Sequence, residues 1–310
     1  MVDRIRKYGE TISLDTRQRI SKRYHAVTKA INEEFWNSIS DTLHSLYVGS
    51  YGRNTAIDTS DIDILIELPG NLFDRYNNLI GNSQSRLLQA VRKAILNVYP
   101  KSDVRADGQV VKIHFSDGMY FEIVPAFKNW NGSYIYPDSN TGGSWRSTNP
   151  KAEQDAMAGK NRDSNGLLYD TCKHIRYIRD TCFSSYHLSG IVIDGFVYDA
   201  IGNWCWLNSG EVSSSPNDTY EKELLDYYAW HGIGSGANII APGSNDIIST
   251  ASSYECLGKS VRIHGSVKIG TRAKIILFDA PWMNLADCMH VDGLHHGEDH
   301  QHAYGRIAFE

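Results

Sequence analysis

Val48-Gly49-Ser50-Tyr51-Gly52-Arg53-Asn54-Thr55-Ala56-Ile57-Asp58-Thr59-Ser60-Asp61-Ile62-Asp63-Ile64-Leu65-Ile66 is the stretch on which the reading of this chain turns. Its second half alternates. Ile62, Ile64, Ile66 and Leu68 are interleaved with Asp61, Asp63, Leu65 and Glu67, the period of a β-strand. Asp61 and Asp63 then leave the same face of that strand. Two carboxylates held together repel unless a cation sits between them. Hard oxygen ligands suit magnesium, whose shell is normally completed by water and substrate phosphates. In the first half, Gly49 permits a tight turn and a close backbone approach to a phosphate. Ser50 offers a hydroxyl and an N–H at the same turn.

Such a site wants a third carboxylate from a neighbouring strand. Tyr120-Phe121-Glu122-Ile123-Val124-Pro125-Ala126-Phe127 supplies Glu122 between apolar positions. Strands are expected near 109–115 and 119–125, joined by Ser116-Asp117-Gly118, whose Asp-Gly pair favours a hairpin. Glu122 is a candidate second metal ligand, or acceptor of the proton from an attacking hydroxyl. In-line attack on an α-phosphate would then expel pyrophosphate. Taken singly, these features are common: an Asp-x-Asp pair is often just a solvated acidic edge, and a lone Glu a surface residue. Their order on these predicted elements is what points to nucleotide chemistry.

Outward from this centre, residues 15–45 read as one long helix, with Ile20, Tyr24, Val27, Ile31, Phe35, Ile39 and Leu43 at spacings of three and four. Leu46-Tyr47-Val48 is a short strand. Residues 83–97 form a helix burying Leu87, Leu88, Val91, Ile95 and Val98. Residues 128–150 are rich in Asn, Gly, Ser and Pro and read as loop, so the domain boundary is placed there. Helices follow at roughly 150–160, 166–182, 187–206 and 218–230. Ser260 to Leu277 is expected to be strand or irregular structure.

The 310 residues suit two lobes sharing one boundary. A net charge of −5 argues against a chain whose main task is to coat nucleic acid, and no nucleic-acid template is expected. The first thirty residues are richer in Arg and Lys, which reads as a solvated helix face. No secretory leader and no membrane span is evident in the pattern. Cys172, Cys182, Cys205, Cys256 and Cys288 form no CxxC pair, which suits free thiols in a reducing cytoplasm.

These motifs together resemble the DNA polymerase β-like nucleotidyltransferase superfamily. Within it they resemble the cGAS/DncV-like enzymes, the bacterial synthases of cyclic oligonucleotide signals. The marks are Gly49-Ser50, Asp61-Ile62-Asp63 and Glu122-Ile123-Val124-Pro125-Ala126-Phe127, with Trp145 to Pro150 and Ser185-Tyr186-His187-Leu188 as softer ones. The resemblance covers most of residues 15 to 230. It implies an α+β fold: a polymerase-β-like palm, a mixed sheet with helices, over residues 1–145, and a C-terminal helical lobe over 146–310. It implies two Mg²⁺ ions, replaceable by Mn²⁺, on Asp61, Asp63 and Glu122. It assigns Gly49, Ser50, Arg53, Thr55, Lys173, Arg176, Ser185 and Tyr186 to nucleotide binding, with a cation of the 166–182 helix on the donor triphosphate and the Tyr186 ring on a base. ATP, GTP and other NTPs would be substrates and a cyclic di- or trinucleotide the product. By the same resemblance the product serves anti-phage signalling, with a regulatory protein partner encoded nearby. One departure is Glu122, where the family usually has Asp. The alternatives are a non-cyclising transferase acting on RNA, protein or a small molecule, and an inactive nucleotide-binding module.

His290, His295, His296, His300 and His302, among Asp292, Glu298 and Asp299, invite a zinc reading. No spacing matches a standard site, and a polar surface segment is expected instead.

Overall fold

A computed structural model describes residues 12–57, 61–213, 219–231 and 236–266. The histidine-rich segment from 290 onward, Cys288 and residues 1–11 lie outside this range.

The first helix, α1 (Leu14–Phe35), is capped by Ser13, whose hydroxyl accepts the Thr16 N–H. It ends at Phe35, while the apolar spacing runs on to Leu43. Asn37 takes a left-handed conformation (φ 49°), and the Ser38 N–H returns to the Asn32 carbonyl at 3.1 Å. The Asn32 amide then holds the carbonyls of Ser40 and Leu43, both at 2.9 Å. Ile39 and Leu43, expected on the buried stripe, are 81% and 58% exposed. A polar side chain competing for backbone groups stops the helix where periodicity alone would continue it.

After α1 come β1 (Ser45–Tyr47), the single turn α2 (Gly49–Gly52), β2 (Ile62–Glu67), α3 (Gly70–Asn77) and α4 (Ser83–Val98). Then follow β3 (Asp103–Asp107), β4 (Val110–His114), β5 (Tyr120–Lys128), β6 (Tyr134–Asp138) and β7 (Ser144–Thr148). Among the described residues these seven strands form one mixed sheet in the order β1-β2-β5-β4-β3. The end of β5 leads to β6 and then β7. β2 and β5 run parallel; the other pairs are antiparallel. The expected hairpin forms, with the Phe115 N–H on the Met119 carbonyl and Gly118 at φ 84°.

The two faces of the sheet differ by the period of the strand. Ile62, Ile64, Ile66, Val111, Ile113, Phe121 and Ile123 pack with Val27 and Ile31 of α1 and with Leu87, Val91 and Ile95 of α4. The alternate positions, Asp63, Lys112 and Glu122, belong to the opposite face. The stretch expected as loop at 128–150 instead carries β6 and β7. Their pairing to each other and to Phe127–Lys128 satisfies the backbone of a sequence whose composition is that of a turn.

The rest is mainly helical: α5 (Pro150–Asp163), α6 (Leu167–Cys182), α7 (Gly190–Ala200), α8 (Thr219–Trp230), a small hairpin of β8 (Asn238–Ile240) with β9 (Ile247–Ser249), and α9 (Tyr254–Ser266). Pro150 opens α5 behind Asn149, whose side chain accepts the Ala152 N–H. The helix expected over 187–206 is shorter, and residues 260–266, the start of a stretch expected to be strand or irregular, are the end of helix α9. A second core gathers Leu168, Ile175, Val192, Phe196, Leu224 and Leu257. Cys172, Cys205 and Cys256 are free thiols, but Cys182 is disulfide-bonded, so free thiols throughout is not what the structure has. Among the described residues no helix is long and apolar enough to cross a membrane.

Candidate active site

The parallel pairing of β2 with β5 sets Asp63 beside Glu122, and antiparallel β4 sets Lys112 on the other side of Glu122. Asp61 precedes β2 on the same face and is exposed. Burial pushes the Asp63 carboxyl up to about 7, helped by the charges of Glu122 and Asp61 and opposed by Arg53. Asp61 is also raised, by burial first, against the cations of Lys112, His114 and Arg179. Lys112 Nζ lies 2.9 Å from Asp107 Oδ2 and 3.5 Å from Glu122 Oε1.

These carboxylates share one face, yet among the described residues no three His, Cys, Asp or Glu side chains are gathered as a ready metal-binding group. The donor set still fits a hard divalent cation. All its atoms are carboxylate oxygens, and the Asp63 carboxyl is pushed up first by burial and then by the charges of Glu122 and Asp61, a repulsion that a cation would relieve. Glu122 would have to turn from Lys112 to join it.

The Gly49 turn closes over this face. Its φ is 58°, and a Cβ there would collide with Asp63 Oδ2. Only glycine suits both the left-handed backbone and the approach. The Val48 N–H is bound to the Asp63 carbonyl at 2.9 Å, so turn and strand share a backbone bond. Ser50 is half-buried.

Three residues expected on the nucleotide are engaged elsewhere. Asp194 of α7 is wholly buried, and its Oδ2 accepts from Arg53 Nε (2.8 Å), Arg176 Nη2 (2.9 Å) and Thr55 Oγ1 (3.1 Å). Arg53 Nη1 also donates to Glu153 Oε2 at 2.7 Å, and Arg176 Nη2 to the Gly190 carbonyl at 2.9 Å. Burial alone would raise Asp194, but Arg176 and Arg53 outweigh it and hold the carboxylate below its ordinary value. Arg53, Thr55 and Arg176 are buried, and in this structure they build the interior beneath the turn. Two cations against two carboxylates balance the charge that burial would otherwise penalise.

Lys173 is half-buried on α6, and Ser185 is exposed beyond its end. Tyr186 packs edge-on against Phe183, ring centroids 6.0 Å apart, with Lys259 Nζ 5.4 Å from its own ring centre. Its ring therefore serves packing and a cation–π contact in this structure.

Asp194, Glu153 and Lys112 were not singled out from sequence. Asp194 had a signal: it is the one charge in the apolar run Gly190 to Val197, and a buried charge demands partners. Lys112 had one too, since a hairpin turning at Asp117-Gly118 pairs it with Glu122. Glu153 had none.

A mixed sheet carrying acidic residues on its open face, followed by a helical unit, is the fold of polymerase-β-like nucleotidyltransferases. Residues 2–161 match the Second Messenger Oligonucleotide or Dinucleotide Synthetase domain, and the chain belongs to that family, among the cGAS/DncV-like nucleotidyltransferases. A cyclic AMP-AMP-AMP synthase of Acinetobacter sp. (strain ATCC 27244 / 9458) is 27% identical over 139 residues, covering 44% of this chain and 39% of that one. The chain thus spans under half the length of the curated relatives it matches. The fold is shared with the Elizabethkingia meningoseptica CdnE cyclic dinucleotide synthase solved with GTP and Apcpp. The TM-score is 0.59 at 16% identity, over 87% of this chain and 99% of that one. It is shared too with the structure of an E. coli MS115-1 CdnC:HORMA-deltaN complex, with TM-score 0.59 at 13% identity over 90% and 92% of the two chains.

Proposed function

We propose that this chain joins ribonucleoside triphosphates into a cyclic di- or trinucleotide and releases pyrophosphate. The observation that carries the reading is the Asp63–Glu122 register pair under the Gly49 turn, with Asp63 driven to about 7 by its surroundings. The palm is assigned to residues 1–145 and the helical lobe to 146–310, a division that falls inside β7.

In this reading Asp61, Asp63 and Glu122 would hold two Mg²⁺ ions, or Mn²⁺, which when bound neutralise charge on the phosphates and lower the pKa of the attacking hydroxyl. The ribose hydroxyl oxygen forms a bond to the α-phosphorus while the bond from that phosphorus to the β-phosphate oxygen breaks. Its proton passes to a Glu122 oxygen, and pyrophosphate leaves. The Gly49–Ser50 turn, Lys173 and Ser185 orient the donor triphosphate. Lys112 Nζ stands 3.5 Å from Glu122 Oε1, beside that proton acceptor. Tyr186 stacks on a base once its ring is uncovered. ATP and GTP are the substrates proposed first, since the E. meningoseptica relative was solved with GTP and Apcpp. A cytoplasmic, anti-phage signalling role belongs to the same reading. So does a regulatory protein partner, supported by the complex of the E. coli relative.

The test is incubation with all four NTPs and Mg²⁺, with no acceptor, followed by phosphatase and mass spectrometry. A phosphatase-resistant cyclic product is expected. Linear products alone would replace cyclisation with simple transfer, and unconsumed NTPs would overturn the reading.

A further inference from the structure

The buried carboxylate Asp194 lies on α7, in the helical part of the chain, yet two of its three donors come from the segment that follows the Gly49 turn. That segment is tied to the first two residues of the turn. The Arg53 N–H donates to the Gly49 carbonyl at 3.1 Å, and the Thr55 N–H to the Ser50 carbonyl at 2.9 Å. The Thr55 hydroxyl stands 3.1 Å from Asp194 Oδ2 and 3.4 Å from that same Ser50 carbonyl. The other sides of the turn are closed as well. A Cβ at Gly49 would meet the Asp63 carboxylate, and one at Gly52 would meet the Tyr47 carbonyl and the Gln154 amide. Gln154 of α5 donates to that Tyr47 carbonyl at 2.7 Å. The turn is wedged between Asp63 on one side and Asp194 with Gln154 on the other. The Arg53–Thr55 segment is thus joined to the turn by backbone bonds and to Asp194 by side-chain bonds.

We infer that Asp194 is a positioning residue of the catalytic face: through Arg53 and Thr55 it sets where the Gly49–Ser50 turn stands against Asp63. The inference rests on the nucleotidyltransferase reading for its consequence, but not for the mechanical link itself. The network's charge balance explains why a carboxylate is used. Among the described residues Asp194 is the acceptor that meets Arg53, Thr55 and Arg176 at once, and it joins helix and turn. Preorganised geometry of this kind is where a loss of fit costs rate rather than fold.

The test uses the full chain and two measurements. Asp194→Asn keeps the shape but leaves two buried guanidiniums against one carboxylate, and it is the variant that risks misfolding. Thr55→Val removes only the hydroxyl link at nearly constant volume, and Thr55→Ser restores it. Hydrogen exchange of the amides of residues 48–56 reads the link directly. The expected result is lost protection in that segment in Thr55→Val, regained in Thr55→Ser, with the rest of the sheet unchanged. Steady-state kinetics read the consequence: kcat at saturating NTP at least tenfold lower in Thr55→Val, KM moved less, and most of kcat returned in Thr55→Ser. Unchanged protection at 48–56 in Thr55→Val overturns the inference even if no NTP is ever consumed. Lost protection with unchanged kcat, or a lower melting temperature with full kcat per folded molecule, overturns it as well, by leaving Asp194 a purely structural group. A wild-type chain that turns over no NTP refutes the nucleotidyltransferase reading, and hydrogen exchange then decides the link alone.

Discussion

Asp63 and Glu122 are register partners across parallel strands separated by more than fifty residues of chain, and Lys112 flanks Glu122 from the opposite strand. One carboxylate is thereby crowded by another while that other is offered a cation. The first consequence concerns pH. An acid whose folded-state pKa exceeds its unfolded value holds its proton more tightly when folded. Asp63, pushed up to about 7, therefore contributes stability that is complete below about pH 4 and is lost as the pH rises through about 7. In chelator, the melting temperature of the wild type should fall between about pH 5 and pH 8, and Asp63→Asn should flatten the fall. Calorimetry across that range checks it. A variant whose melting temperature declines as steeply as the wild type's removes the basis for the crowded site.

Asp61→Asn combined with Asp63→Asn should abolish nucleotide incorporation while the chain stays folded, because neither side chain is buried in either hydrophobic core. Incorporation of labelled NTP, read beside a circular dichroism spectrum, distinguishes the two effects. Undiminished transfer would place the chemistry elsewhere.

Glu122→Gln should lower kcat by ~10²–10⁴-fold, the usual cost of losing general-base assistance, and leave donor NTP affinity nearly intact. Glu122→Asp, which restores the residue the family usually has, shortens the reach by one methylene and should keep part of the activity. Single-turnover measurements give the rate, and equilibrium titration with a non-hydrolysable NTP gives the affinity. If Glu122→Gln matches the wild type, the proton acceptor is another group.

Lys173→Ala and Arg176→Ala should fail in different ways. Loss of the Lys173 charge should weaken NTP binding by roughly 1.5–3 kcal/mol, the value of a charged hydrogen bond. Arg176 is buried on Asp194 and the Gly190 carbonyl, so its removal should destabilise the fold by ~3–5 kcal/mol. Denaturant titration and NTP binding, run on both variants, separate the two. An Arg176→Ala protein of normal stability and weakened NTP affinity would return Arg176 to the triphosphate.

Gly49→Ala should be inactive with its fold nearly intact. The left-handed backbone at φ 58° costs an alanine roughly 1–2 kcal/mol, and its methyl would displace the Asp63 carboxylate. Thermal melting with NTP turnover tests this. Full turnover would show that the turn and Asp63 need not meet.

Much of the palm was legible in the residues because its signals are local. The alternation at Ile62–Glu67, the Asp-Gly hairpin at 117–118 and the apolar spacing of Leu87, Val91 and Ile95 each report a backbone period over a few residues. The shared face of Asp61 and Asp63 follows from that period too. The strands at 134–138 and 144–148 were not legible, because Asn, Gly and Ser mark a turn wherever a partner strand is not in view. Nor was the end of α1 at Phe35, where Asn32 turns its amide to Ser40 and Leu43. The clearest divide runs through the arginines. The family resemblance assigned Arg53 and Arg176 to the nucleotide. Asp194, 141 residues beyond Arg53, takes them both, since a buried charge must be neutralised by whatever the packing brings within reach. Local period fixed which residues could share a face. Only the packing of α7 beneath the Gly49 turn decided which charges would meet.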